Sequence, residues 1–594
     1  MHRYLLAVLL AATGPIVGAS PPDAAKSVAF THVSVIDPAS GAVRSNQTVL
    51  ITANRISAVG EAGEVATPEG VQVVDGNGKF LIPGLWDMHV HWYDKDYLPL
   101  FLVNGVTGVR MMWGTPLHHE FRKRIAAGEW PGPRMVIAST IIDGPAYFWP
   151  GSTSVHTPEE ARRAVEQEKQ AGADFIKEYS FLPRDLYFAI ADESRKLAIP
   201  FVGHVPWGVS AEEASDAGQK SMEHLIGIVN SCSSREQELL EAAQADLADM
   251  IASGKVAFGS TRLHRMRDMA LDTYDPDRAA RLFARFRKNG TWQCPTLTVN
   301  RTFAYLDDPA FRNDPRLKYL PRSVRATWTP ESYRATAGDK PEDFAYAKRL
   351  FQKQLELVAA MNRAGVAIIA GTDVLNPYCF PGFSLPDEIE LYVRAGLSPL
   401  EALRTATSNP ARFLGRENDL GSVRAGKLAD LLLLDGNPLA DINNVRKISA
   451  VVADGHFYSR QNLDAMLAKM EALASRKSVA EALSRTLSAD GMAAAVKQYY
   501  ELKSTQSDAY DFSEDELNTL GYQLIAARKF QEAIRIFELN VAAYPQSSNV
   551  YDSLAEAYMD SGEKQLAIRN YEKSLALDPG NKNAAERLVK LRSP

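Results

Sequence analysis

Between about residues 83 and 412 the chain alternates short apolar segments with amphipathic stretches, and several of those stretches open with capping chemistry. Thr157-Pro-Glu-Glu160, Ser210-Ala-Glu-Glu213 and Ser398-Pro-Leu-Glu401 each set a hydroxyl three residues ahead of a carboxylate, and two of them add proline at the first helical position. Strands that alternate with helices in this way build a parallel sheet, which leaves few folds open. Candidate strands fall near 83–91, 107–112, 134–139, 174–179, 200–205, 220–225, 291–297 and 367–373. Eight of them predict a (β/α)8 barrel, an α/β fold whose functional groups gather at the C-terminal strand ends. The stretches before the seventh and eighth strands are too long for simple loops and predict extra helices over the barrel mouth.

Both flanks of this region look different. Residues 27–82 set β-favouring runs such as Ser34-Val-Ile36 and Thr48-Val-Leu-Ile51 among turn pairs, Asp75-Gly76 and Asn77-Gly78. The same texture returns over 413–460, in Ala429-Asp-Leu-Leu-Leu-Leu-Asp435 and Ile448-Ser-Ala-Val-Val-Ala-Asp-Gly455. The two pieces predict one discontinuous β-sandwich around a barrel spanning 83–412. From 461 to 594 the chain reads as helical, and Leu520, Ala533, Phe537 and Pro545 recur 34 residues later as Leu554, Ala567, Tyr571 and Pro579. This period resembles tetratricopeptide repeats. Two such units leave an apolar face bare, so helices near 461–505 are expected to complete the stack. The region reads equally as a groove for a protein or peptide partner and as a packing or dimerisation appendage, which keeps a homo-oligomer among the expected states.

Met1-His2-Arg3-Tyr4, an apolar run from Leu5 to about Val17, and the small residues Gly18 and Ala19 read as a secretory signal peptide over residues 1–19. That run falls short of the ~20 apolar residues that span a bilayer. Export, most simply to a bacterial periplasm, is the expectation, with no integral membrane segment after cleavage. Lys plus Arg total 66 against 72 for Asp plus Glu, so no electrostatic footprint for nucleic acid is present. Cys232, Cys294 and Cys379 are too few for a disulfide framework, and none stands in a CxxC.

The first barrel strand ends in His89-Val-His91, and on a strand that spacing puts both imidazoles on one face. They either share a metal ion or line an interior, and the other strand ends decide between the two. The fourth strand carries Lys177, the fifth ends in His204, the sixth in His224 and the eighth in Asp373. Singly, each has a plainer explanation: a lysine reaching for solvent, a satisfied core histidine, a helix-capping aspartate. Together, four histidines, a carboxylate and a lysine at five strand ends converge on one barrel mouth. Neutral imidazoles and a carboxylate suit Zn²⁺ or a similar divalent ion.

On these residues, and on Ser408-Asn-Pro-Ala-Arg412 with the segment Gly421 to Asp430, the chain resembles the amidohydrolase superfamily over about residues 30–460. The branch is that of imidazolonepropionase-like enzymes and prolidase-type dipeptidases. The resemblance implies two divalent ions, Zn²⁺ the first expectation: His89, His91 and Asp373 on one, His204 and His224 on the other. Lys177, converted by carbon dioxide to a carbamate, is implied as the bridging carboxylate. A metal-bridging hydroxide would then attack a carbonyl, with Asp373 as the catalytic proton carrier. Mononuclear relatives typically lack the bridging lysine, so simple deamination ranks lower. The expected activity is hydrolysis of an amide bond in a small peptide or N-acyl amino acid. A cyclic amide, lactone or ester hydrolase using the same site is the alternative, and a tetratricopeptide binding protein with a relict barrel is the reading from another class. Two positions depart from the prolidase-like pattern. The turn after the third strand reads Ile142-Asp-Gly-Pro-Ala-Tyr147-Phe-Trp149-Pro-Gly151 without the histidine, and Pro386 stands where a histidine follows the eighth strand. Tyr147, Trp149 and Tyr179 are the candidate substrate contacts, against a plainer reading as rim packing and barrel lining.

Overall fold

The computed structural model describes residues 27–256, 261–578 and 580–592, so the expected signal peptide over residues 1–19 and the repeat position Pro579 lie outside the described residues. One compact unit runs to residue 317 and resumes over 323–470, and a second comprises 318–322 with 471–594.

The larger unit opens with β1 (Val28–Asp37), β2 (Ala42–Thr52), β3 (Arg55–Glu61), β4 (Gln72–Asp75) and β5 (Phe80–Pro83). The barrel strands follow: β6 (Leu85–Val90), β7 (Val106–Met111), β8 (Arg134–Asp143) with its short companion β9 (Thr153–Ser154), β10 (Phe175–Glu178), β11 (Phe201–Gly203), β12 (Ser221–Glu223) and β13 (Trp292–Cys294). They pair in the order β13-β12-β11-β10-β8-β7-β6, every pairing parallel. After the barrel, β14 (Leu431–Leu434), β15 (Ile448–Ala453) and β16 (His456–Ser459) return to the first sheet. That sheet runs β16-β15-β14-β5-β1-β2-β3 with β4 beside β1, so both flanks of the barrel make one discontinuous β-domain. Val28, Phe30, Val35, Val49, Leu81, Leu431, Leu433 and Val452 pack together in its core.

The capping boxes work as their chemistry requires. Ser210 and Ser398 each accept from the amide of the glutamate three residues on, and those glutamates reach back to the cap amides. Thr157 accepts from the Glu160 amide. Five helices between Ile228 and Asn289 fill the stretch before β13, and the helix Pro341–Arg363 precedes the last strand position.

The eighth strand, expected over 367–373, is a correction. Only isolated bridges form, Ile368 to Gln293 and Val374 to Val90. Backbone bonds still close the barrel: the Ile369 amide donates to Gln293 O, the Met88 amide to Ala370 O and the Asp373 amide to His89 O. At the end of this segment Asp373 takes a left-handed φ of 58°, outside the extended range of a strand. Gly371 lies in the seam, where an added Cβ would meet Cys294 Sγ at 2.6 Å and His89 Cβ at 2.7 Å. The seventh strand is likewise shorter than expected, since a helix already begins at Leu297.

In the second unit the repeat positions carry the core. Leu520, Ala533, Phe537, Leu554, Ala567 and Tyr571 are all buried in one cluster, joined by Val479, Leu483, Tyr499 and Leu502 from the two preceding helices. Among the described residues no helix is long and apolar enough to cross a membrane.

Candidate metal centre

His89 and His91 stand at the end of β6, and the last strand position brings Asp373 against them. His89 Nε2 lies 3.2 Å from His91 Nε2 and 3.4 Å from Asp373 Oδ1, and His91 Nε2 lies 3.1 Å from the same oxygen. Donors bound at 2.0–2.1 Å to a tetrahedral ion sit about 3.3–3.4 Å apart. The three atoms therefore already hold the spacing of one face of such a coordination shell.

His224 closes the group from β12. Its ring centroid is 4.5 Å from that of His89, 4.9 Å from that of His204, and its Nδ1 is 3.8 Å from Asp373 Oδ2. Lys177, on β10, is 1% exposed. Among the described residues no third imidazole, thiol or carboxylate completes a three-donor set around His204 and His224. His89, His91, His204, His224 and Asp373 come together at the strand ends, and Lys177 Nζ lies 5.7 Å from the centroid of the Tyr179 ring that packs on His204.

Burial sets their charge. It drives the His89 and His204 imidazoles well below their usual range, with His224 positive charge adding to the effect on His89 and the Lys177 ammonium on His204. His224 is pushed down to about 4, again mainly by burial. Neutral imidazoles are the form that binds a metal. Burial also lowers Lys177, which favours the free amine that carbamylation needs. Burial raises the Asp373 carboxyl, but His224, His89 and His91 outweigh it and hold the group well below the usual carboxylate range.

Partners on the far side of three of the four rings were not foreseen, while His91 Nδ1 is buried without a hydrogen-bond partner among the described residues. His89 Nδ1 lies 2.8 Å from Glu223 Oε2, His204 Nδ1 2.7 Å from Ser180 Oγ, and His224 Nδ1 2.7 Å from Thr296 Oγ1. With Nδ1 so engaged, each ring can present Nε2 to an ion. Asp87 accepts from the Thr372 amide at 3.0 Å and the Thr372 hydroxyl at 2.7 Å, tying β6 to the segment that carries Asp373. Glu223 escaped sequence reasoning because strand alternation places it opposite His224. His224 has φ 62°, which breaks the alternation and lets both side chains reach His89.

Of the candidate substrate contacts, Trp149 and Tyr179 join. The Trp149 indole donates to the Tyr179 hydroxyl at 2.7 Å, and the Tyr179 ring lies 4.0 Å from that of His204. Tyr147 is 44% exposed and takes no part in this pair. Tyr333, unforeseen, donates its hydroxyl to Asn376 Oδ1, and Asn376 Nδ2 donates to the Asp373 carbonyl at 2.6 Å. Pro386 is buried in the helix Ser384–Ala395.

Comparison with known proteins places the family and the fold. The amidohydrolase family profile fits residues 80–457, and a tetratricopeptide repeat profile fits 548–581. An imidazolonepropionase of Rubrobacter xylanophilus is 46% identical over 77 residues, 13% of this chain and 18% of that protein. The chain thus spans less than a third of the length of the curated relatives it matches. Among solved structures, a bottromycin amidohydrolase superposes with a TM-score of 0.59 at 24% identity, over 75% of this chain and 90% of the other. A Xaa-Pro dipeptidase with methionine bound in its active site superposes with a TM-score of 0.53 at 20% identity, over 73% of this chain and 100% of the other. The profile covers well over half of the sequence, and the chain belongs to the amidohydrolase family.

Proposed function

We propose that the chain is a metal-dependent hydrolase that cleaves an amide C–N bond in a small peptide or an N-acyl amino acid. The observation that carries this reading is the set of three donor atoms, His89 Nε2, His91 Nε2 and Asp373 Oδ1, at 3.1–3.4 Å from one another. His89, His91 and Asp373 would hold one divalent ion, and His204 and His224 the other, with carbamylated Lys177 between them. Ions there would lower the pKa of bound water and polarise the substrate carbonyl.

The remaining work falls to the chain itself. Asp373 is ionised throughout the neutral range, so its carboxylate accepts the proton of the attacking water. It then returns that proton to the leaving nitrogen as the C–O bond forms and the C–N bond breaks. Tyr179 and Trp149 form a wall beside His204 that would orient the substrate. The fold shared with a Xaa-Pro dipeptidase makes dipeptides the first compounds to test. Export belongs to the same proposal and rests on the apolar leader of residues 5–17. The helical repeats are proposed to engage a protein or peptide partner, supported by the repeat profile.

The test is a screen of the zinc- and bicarbonate-loaded protein against dipeptides, N-acyl amino acids, cyclic amides, lactones and esters. Turnover of linear amides, lost on chelation and restored by zinc, is expected. Turnover confined to cyclic amides, lactones or esters would move the substrate class while keeping the site. A protein that turns over nothing and retains no metal would leave the repeats as the functional part.

A further inference from the structure

Beneath His89 lies a fully buried chain of polar groups that no step of the proposed reaction uses. Glu223 Oε2 receives His89 Nδ1 at 2.8 Å. Both Glu223 oxygens accept from the same Arg110 nitrogen at 3.0 Å, and Oε1 also accepts from the Ser221 hydroxyl at 2.5 Å. Arg110 is fixed in turn, its Nε donating to Met88 O at 2.5 Å and another nitrogen to Ser221 Oγ at 3.0 Å. His89, Arg110 and Glu223 all have 0% exposure.

Isolated buried charges are expensive, and this pair is retained where an apolar pair would pack without that cost. The geometry points to a use: we infer that Glu223 is a positioning residue, anchored by Arg110 and Ser221, that locks His89 in the tautomer presenting Nε2 to the metal. Both Glu223 oxygens accept from Arg110, and Oε1 accepts from Ser221 as well, so the carboxyl faces His89 as an acceptor and the proton of a neutral His89 sits on Nδ1. The lone pair then lies on Nε2, the atom that faces His91 and Asp373. His204 and His224 have only hydroxyls in the corresponding place, and a hydroxyl donates or accepts and so dictates no tautomer. Among the four histidines, the carboxylate partner on Nδ1 sets His89 apart, since His91 Nδ1 has no hydrogen-bond partner among the described residues and His204 and His224 meet hydroxyls. This inference rests on the metal-binding reading of the site.

Glu223→Gln tests it with almost no change of shape. Oε1 takes two donors, from Ser221 and Arg110, so the amide oxygen takes that place and the NH₂ faces His89 Nδ1, giving up the second contact to Arg110. That arrangement puts the His89 proton on Nε2 and removes the ligand lone pair. Cobalt(II) titration of the full-length, metal-free protein, followed by visible absorption, reads occupancy without reference to turnover. The expected result is a loss of about 10–100-fold in cobalt affinity at one of two positions, the range typical of removing such a partner. Glu223→Asp keeps an acceptor-only carboxylate and should recover part of that loss, and it also serves if the glutamine variant does not fold. Unchanged cobalt affinity and spectrum in Glu223→Gln, with only a lower urea midpoint for the metal-free protein, would overturn the inference and leave Glu223 a purely structural group. Wild-type protein that binds no cobalt would instead overturn the metal reading, and this inference with it.

Discussion

The β-domain and the barrel are built from sheets of equal size, eight strands each, yet they bury different chemistry. The β-domain buries mainly aliphatic and aromatic side chains, from Val28 and Phe30 to Leu433 and Val452, with Gln47, Thr48 and Asp430 among its few buried polar groups at 3–6% exposure. The barrel buries Asp87, His89, Arg110, Lys177, Glu178 and Glu223 at 1% exposure or less. Burying polar and charged groups costs free energy unless each is partnered, whereas apolar burial stabilises directly. The β-domain is therefore shaped by stability and the barrel by the site it must hold.

The largest expected effect is on the barrel side. Asp373→Asn removes the proton carrier and one metal ligand, and kcat/KM should fall by about 10³-fold or more while far-UV circular dichroism stays unchanged. Loss of helical signal in that variant would mean that Asp373 serves the fold as well, and the contrast between the sheets would weaken. In the β-domain, Leu433→Ala should lower stability by about 2–5 kcal/mol, seen as a lower urea midpoint, with turnover per folded molecule unchanged. A tenfold fall in that turnover would break the comparison from the other side. The smallest effect sharpens it. Burial pushes the Asp143 carboxyl, at the end of β8, up to about 8, whereas it titrates near 3.9 when unfolded. The folded state keeps its proton while the unfolded state releases it, so the contribution of Asp143 to stability is complete below about pH 4 and declines as pH rises toward 8. The slope is at most about 1.4 kcal/mol per pH unit. Asp143→Asn keeps the acceptor that takes the Gly144 and Phe181 amides and should remove that slope, read as urea midpoints at pH 5 and 7.5.

Much of this contrast was legible in the sequence. The two-residue spacing of His89 and His91 needs only strand periodicity, and the hydroxyl–carboxylate pairs at Thr157, Ser210 and Ser398 need only local hydrogen bonding. What escaped depends on exceptions to those periods or on contacts distant in sequence. Glu223 is hidden by the positive φ of His224, and the eighth strand position is held by isolated bridges in place of a ladder. Tyr333 comes from the long stretch before the last strand position, and nothing in its local pattern points it toward Asn376. Tyr147 and Trp149, two residues apart in one turn, look alike in sequence, and only the fold gives Trp149 a partner in Tyr179.

The crowded seam at Gly371 bears on the order in which the molecule is made. His89 is synthesised 284 residues before Asp373, and their donor atoms meet only when the segment around Gly371 slides between His89 and Cys294. Until then a nascent barrel carries paired histidines without their carboxylate and presents an incomplete binding face. Under the proposed metal-dependent function, an ion would be retained only by molecules in which the segment carrying Asp373 has docked against His89.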